Sequence, residues 1–80
     1  MTATDLEALE ALAVDIAHSN FDCALDTDPT ENGFCAYQQN AFDTLEEKGL
    51  TGDDLCVAGT VIFREWRKLL AANNLPTSWV

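Results

Sequence analysis

The chain has 80 residues, of which 48% are hydrophobic and 22% charged, a composition typical of one globular domain over residues 1–80. Fourteen acidic residues against four Lys or Arg give a formal net charge of −10, which disfavours direct binding to nucleic acid or to an anionic membrane. No apolar run approaches the roughly 20 residues of a membrane span, and the first residues lack the basic start of a signal peptide. We therefore expect a cytoplasmic protein, in the host cytoplasm if it is phage-encoded.

The first predicted helix covers about residues 5–18. Thr4 and Glu7 have the spacing of a capping box, in which each side chain accepts a hydrogen bond from a backbone amide of the first turn. The apolar residues that follow recur every three or four positions, which is typical of a helix that packs along another helix. Residues 19–28 are rich in Ser, Asn and Asp, so we expect an irregular connection there, with a further helical turn as the alternative.

The second predicted helix begins at residue 29 or 34 and ends at residue 48. Asp28 has the character of an N-cap, Pro29 suits the first helical position, and Gly33 weakens the first turn. Lys48 and Gly49 form a basic last turn followed by a glycine C-cap. Because the next cap follows at once, we expect a very tight corner between the second and third helices.

The third predicted helix covers residues 52–73, and it carries the heaviest apolar load of the chain. Thr51 is the expected N-cap, with Asp54 reciprocating, and Leu50 is expected to pack on Leu55 within the first turn. The expected buried face comprises Leu55, Ala58, Gly59, Ile62, Phe63, Trp66, Leu69 and Leu70. Together the three helices predict an all-α fold, a compact three-helix bundle. Trp79 either closes one end of this bundle or contacts a partner, and closure is the favoured interpretation.

Metal, redox and catalytic chemistry find little support in the sequence. The Cys₃His set of His18, Cys23, Cys35 and Cys56 has the composition of a zinc site but not the spacing of one, so reduced thiols near apolar faces are the preferred interpretation. A Cys23–Cys35 disulfide is not expected in the cytoplasm. With one histidine, no spaced catalytic grouping and no glycine-rich phosphate loop, we expect no catalytic residues, no metal and no cofactor, and hence no enzyme.

Two surfaces are candidates for binding a partner. Acidic residues recur on the outer faces of the first two helices, in the connection between them and at the next corner, where they include Glu7, Asp15, Asp53 and Asp54, and in a compact bundle these clusters are expected to merge into one negative surface. The candidate partner-binding residues of this surface are Asp22, Asp26, Asp28, Glu31, Asp43, Glu46 and Glu47. The other candidate is a stripe on the third helix, opposite its apolar face, that suits a partner helix or a second copy: Val57, Val61, Arg64 and Lys68. Ordinary solvated cover is the alternative for both surfaces.

The function that these observations favour is inhibition by binding. A small acidic protein without catalytic residues is suited to block a protein partner that binds nucleic acid through a basic groove. Phage-type inhibitors of host defence belong to this class, including anti-CRISPR and anti-restriction proteins, some of which mimic DNA. The alternatives are a self-associating helical adaptor or structural protein, and a module stabilised by a metal or binding a small ligand. A homodimer or a higher oligomer is also favoured over a monomer, because a core of this size cannot easily cover all of Phe21, Phe34, Phe42, Phe63, Trp66, Trp79 and the Val57/Val61 stripe.

Overall fold

A computed structural model describes the backbone of residues 3–80 and the side chains from Asp5 onward. Three helices follow one another along the chain, α1 (Ala3–Thr27), α2 (Glu31–Glu47) and α3 (Gly52–Ala72), and a 3₁₀ turn (Thr77–Trp79) lies near the carboxyl end. At about 1.5 Å per residue, the 25 residues of α1 span about 37 Å. That length equals the long dimension of the molecule, 37 Å. The predicted all-α three-helix bundle is confirmed. α1 is its central helix, since it packs along both other helices.

The irregular connection predicted for residues 19–28 is wrong, because α1 continues to Thr27. Phe21 and Ala24 are fully buried and extend the apolar seam of α1 by two turns. Asn20, which looks like a turn residue in the sequence, is buried with both ends of its amide satisfied. Its Nδ2 donates to the Ile16 carbonyl oxygen at 2.9 Å, and its Oδ1 accepts from Asn40 Nδ2 of α2 at 2.7 Å. Tertiary contact with α2 therefore outweighs the local preference of this segment for turns.

The start of α2 differs from the predicted start in its capping residue. Thr30, not Asp28, is the N-cap, and its hydroxyl oxygen accepts from the Gly33 amide at 3.2 Å while its O–H donates to Asp28 Oδ1 at 2.7 Å. Gly33 is buried, and a Cβ at this position would overlap the carbonyl oxygen of Asp28. Gly33 therefore has a packing role as well as a low helix propensity, because only a residue without a Cβ lets the Asp28 backbone approach the first turn of α2 so closely.

The corner between α2 and α3 is tight, as predicted. Gly49 has φ of 87°, and its amide donates to the Glu46 carbonyl while the Leu50 amide donates to the Leu45 carbonyl, which is the Schellman arrangement of a helix end. Thr51 occupies the N-cap position of α3 but makes no side-chain capping hydrogen bond, so the capping predicted there is wrong. We attribute this to Gly52, whose φ of 57° turns the first amides of α3 away from the hydroxyl.

An aromatic cluster joins all three helices and the carboxyl end. Phe21 of α1, Phe34 of α2 and Trp66 of α3 are fully buried, with ring centroids 5.0–5.9 Å apart. The Trp66 indole N–H donates to the Ala17 carbonyl oxygen at 3.0 Å, so the polar atom of this large side chain is satisfied. Trp79 packs on Phe34 at 5.8 Å and closes this end of the bundle, as predicted.

Candidate functional site: two acidic clusters and the groove between α2 and α3

The acidic residues predicted to bind a partner fall into two clusters at opposite ends of α2. The first acidic cluster surrounds the junction of α1 and α2 and consists of Asp22, Asp26, Asp28 and Glu31. The second acidic cluster occupies the last two turns of α2 and consists of Asp43, Glu46 and Glu47. All are exposed except Asp28, which is half-buried. Glu31 and Asp43 are twelve residues apart along the helix, or about 18 Å.

The expectation of one merged acidic surface is not met along α2. Residues 32–42, which separate the two clusters on this helix, contain no charged side chain. Within the described part of the chain, neither cluster forms an ion pair with a basic side chain. The described basic side chains therefore do not neutralise the negative charge at the two ends of α2, although Asp28 accepts a hydrogen bond from Thr30 and Asp43 accepts one from Gln39.

Unlike the acids of the two clusters, two basic residues of α3 form ion pairs, and both pair with the same acid, Glu65. Glu65, with 12% of its side chain exposed, lies 3.4 Å from His18 Nε2 on α1, 3.4 Å from Arg64 Nε and 3.3 Å from Lys68 Nζ. Desolvation of the Glu65 carboxyl acts to raise its pKa. The hydrogen bond and charge of Lys68, with the hydrogen bonds of His18 and Arg64, outweigh that effect, and the pKa is lowered.

The predicted contact stripe on α3 is wrong at Val61, which is buried, whereas Arg64 and Lys68 remain exposed over 47% and 68% of their side chains. Val61 is only 4% exposed and belongs to the core, Val57 is half-buried, and Arg64 and Lys68 are held beside Glu65. The reason is that α1 covers more of α3 than the apolar periodicity of α3 indicates. Phe63, which the periodicity placed on the buried face, is instead 38% exposed on the other flank.

That flank of α3 contains a groove which the sequence analysis missed. The α2–α3 groove has a volume of about 470 Å³ and is lined by Phe42, Gly52, Leu55, Cys56, Gly59, Thr60 and Phe63. A second groove of about 510 Å³ lies where the start of α1 meets the α2–α3 corner, lined by Asp5, Ala8, Leu9, Leu12, Leu50 and Asp54. Gly59, a glycine in the middle of α3 whose missing Cβ leaves room for the Phe42 ring, is the sequence signal that could have pointed to the first groove.

The cysteines do not form the zinc set considered from the sequence. Cys23, Cys35 and Cys56 are free, as expected of reduced thiols, and all three are exposed. In the described part of the chain, no three side chains of His, Cys, Asp or Glu are grouped so as to hold a metal ion. Of the described helices, none has the length and apolar character needed to cross a bilayer.

Burial of aromatic side chains within one chain weakens the expectation of an oligomer. Phe21, Phe34 and Trp66 are fully buried within one chain. Among the described residues, the large hydrophobic side chains that remain exposed are Leu6 and Phe63, each at 38%. The oligomeric state stays a prediction, and Phe63 is the residue on which it now depends.

Comparison with known proteins gives no assignment. No protein family model matches the chain, and neither a curated protein nor a solved structure matches it significantly. Function must therefore be argued from the geometry and charge described above.

Proposed function

We propose that the protein is a non-enzymatic inhibitor that binds a basic, nucleic-acid-binding protein partner through the two acidic clusters. The observation that carries this proposal is the exposure of the clusters without basic partners, in a chain whose net charge is −10. Solubility alone does not require acids to gather at both ends of one helix while the residues between them are uncharged. A phage-type anti-defence protein, of the anti-CRISPR, anti-restriction or DNA-mimic kind, is the form of inhibitor that we favour.

The physical basis of such inhibition is competition for Lys and Arg side chains. The two acidic clusters are separated by about 18 Å, a distance that covers about five phosphates of one DNA strand at about 3.4 Å each. A groove that holds a phosphate backbone would meet two anionic patches at a comparable separation. Association would be accelerated by the opposite charges, and the affinity would fall as the salt concentration rises.

The test uses three variants that each replace three acids by their amides and so change the formal charge from −10 to −7. One variant changes Asp22, Asp26 and Asp28, and another changes Asp43, Glu46 and Glu47. The third is a matched control, with the same changes at Glu7, Glu10 and Asp15 on α1. The partner is recovered from a nucleic-acid-rich lysate with the wild-type chain and identified by mass spectrometry. Circular dichroism establishes that every variant is folded.

We expect the recovered partner to bind the wild type and the α1 control alike and to bind the two cluster variants at least about tenfold more weakly. Affinity should fall steeply between about 50 and 200 mM salt. Equal binding by all three variants, or binding that is insensitive to salt, would contradict the proposal.

A self-associating adaptor is the second candidate, because Phe63 offers 38% of its surface on the flank that α1 does not cover. Light scattering distinguishes the two, since a monomer has a mass of 8.8 kDa. A stable dimer at micromolar concentration, abolished by Phe63→Ser, would favour self-association. A monomer at high protein concentration would reject it.

A further inference from the structure

The α2–α3 groove lies between two helices that contact each other little. α1 packs closely along both other helices, whereas α2 and α3 touch each other only sparingly. The face opposite α1 is therefore open between two helices. Helices pack at about 8–10 Å between axes, and a groove between two of them is the usual seat of an additional helix.

Two aromatic rings in contact with each other form one side of the groove, and one of them packs directly over Gly59. The rings of Phe42 and Phe63 lie 5.2 Å apart between centroids, one from each helix. A Cβ at Gly59 would come within 2.8 Å of Phe42 Cε1, so the glycine gives the Phe42 ring room to pack against α3. The groove is thus lined mostly by apolar groups that can contact apolar side chains from outside.

Hydrogen bonding in the groove is already taken up within α3. The Thr60 hydroxyl, a polar group on the groove wall, donates to the Cys56 carbonyl oxygen at 2.9 Å. The other lining side chains are apolar, apart from the thiol of Cys56. A polar small molecule would find little to recognise here, whereas the apolar face of a helix would bury its surface at no cost in lost hydrogen bonds.

Charge distinguishes the two ends of the groove. At the end near the α2–α3 corner, Glu46 lies one turn after Phe42 on α2 and Asp53 follows Gly52 on α3, both exposed. At the opposite end, Arg67 lies one turn after Phe63. An occupant therefore gains most from positive charge at the end that covers the corner.

We propose that the α2–α3 groove binds an amphipathic helix of the partner, which takes the place of a fourth helix in the bundle. Apolar side chains of that helix pack against Phe42 and Phe63, and its Lys or Arg residues face Glu46 and Asp53. The basic character of the helix rests on the proposed function, and Glu46 makes the groove continuous with the second acidic cluster. A second copy of this chain is a poorer occupant, because the other exposed large hydrophobic residue, Leu6, lies between acids at positions 5 and 7.

The probe is a fluorescein-labelled, amidated 18-residue peptide of Leu and Lys in helical amphipathic order. A peptide of the same composition in scrambled order serves as the matched control for charge alone. In fluorescence anisotropy we expect the amphipathic peptide to bind the wild type at least about tenfold more tightly than the scrambled peptide. Phe63→Ser should remove this difference, and Leu6→Ser, which removes an apolar side chain of equal exposure elsewhere, should leave it intact.

Alkylation of the cysteines locates the bound peptide without any mutation. Cys56 lies on the groove, whereas Cys23 lies on α1, and both are exposed. The amphipathic peptide should slow iodoacetamide labelling of Cys56 several-fold and leave labelling of Cys23 unchanged. Equal affinity for the two peptides, equal effects of the two serine variants, or unprotected Cys56 would each overturn the inference.

The outcomes separate this inference from the proposed function. If the cluster variants lose the lysate partner while Phe63→Ser keeps it, the acidic clusters bind and the groove does not. If an amphipathic peptide of Leu and Glu binds as tightly as the Leu and Lys peptide, the groove holds helices without preference for positive charge. That result would overturn the basic helix proposed here, while the salt dependence and the cluster variants would still decide the proposed function.

Discussion

The two threonines that precede α2 and α3 provide a sharp test of the structure, because they occupy equivalent positions and differ in the hydrogen bonds of their hydroxyls. Thr30 and Thr51 are both exposed N-cap residues with extended backbone angles. The Thr30 hydroxyl accepts from the Gly33 amide and donates to Asp28, whereas Thr51 makes no capping hydrogen bond. The sequence predicts a stabilising cap at Thr51 and assigns the other cap to Asp28, whereas the structure places the capping hydrogen bond at Thr30 and none at Thr51.

The expected magnitudes follow from the hydrogen bonds lost. Thr30→Ala leaves the Gly33 amide without its side-chain acceptor and should lower the free energy of unfolding by about 1–2 kcal/mol. Thr51→Ala removes no such bond, and its effect should stay within about 0.5 kcal/mol. Both changes remove the same atoms from an exposed site, so each variant is the control for the other.

Urea denaturation followed by circular dichroism at 222 nm measures the difference. With an m-value of about 1 kcal/mol per molar urea, expected for so small a chain, Thr30→Ala should shift the midpoint by about 1–2 M and Thr51→Ala by less than about 0.5 M. Equal shifts, or a larger shift for Thr51→Ala, would refute the assignment of the two caps.

Three further predictions concern single sites. Gly33→Ala should destabilise the protein by about 1–3 kcal/mol in urea denaturation, because the added Cβ would overlap the Asp28 carbonyl oxygen. The same change in an open helix normally stabilises by about 1 kcal/mol, and such a gain here would contradict the close approach of the chain at Gly33. The lowered pKa of Glu65 means that its ion pairs stabilise the fold above the unfolded-state pKa of about 4.3 and that this contribution is lost as the pH falls through the folded-state value. Wild type and Glu65→Gln should therefore differ in stability at pH 7 and converge in acid, and a constant difference between pH 7 and 3 would show that the charge of Glu65 is not responsible. Gln38→Leu should raise the thermal midpoint of unfolding, because Gln38 Nε2 is buried without a hydrogen-bond partner among the described residues. A lowered midpoint would show that this amide is hydrogen-bonded in solution.

The sequence by itself determined the number of helices, most of their limits and the unevenness of charge. Apolar residues at three- and four-residue intervals need no tertiary information to indicate helices, because the period of the helix is fixed by the backbone. Gly49 likewise marks the end of α2, since a left-handed residue is required at that point and glycine adopts it without strain. The exposure of most acidic residues was also predictable from helical periodicity, because they lie on the side of each helix away from its apolar residues.

Only the tertiary structure decided which flank of each helix is covered. Asn20 reads as a turn residue until its amide meets Asn40 of α2 and keeps α1 helical to Thr27. Val61 and Phe63 are both apolar and lie two residues apart on α3, yet Val61 is 4% exposed and Phe63 is 38% exposed. Helical periodicity gives the direction of a side chain about its own axis, whereas burial depends on where the neighbouring helices lie. That placement rests on contacts between residues far apart in the chain, such as the indole of Trp66 on the Ala17 carbonyl, which no local pattern records.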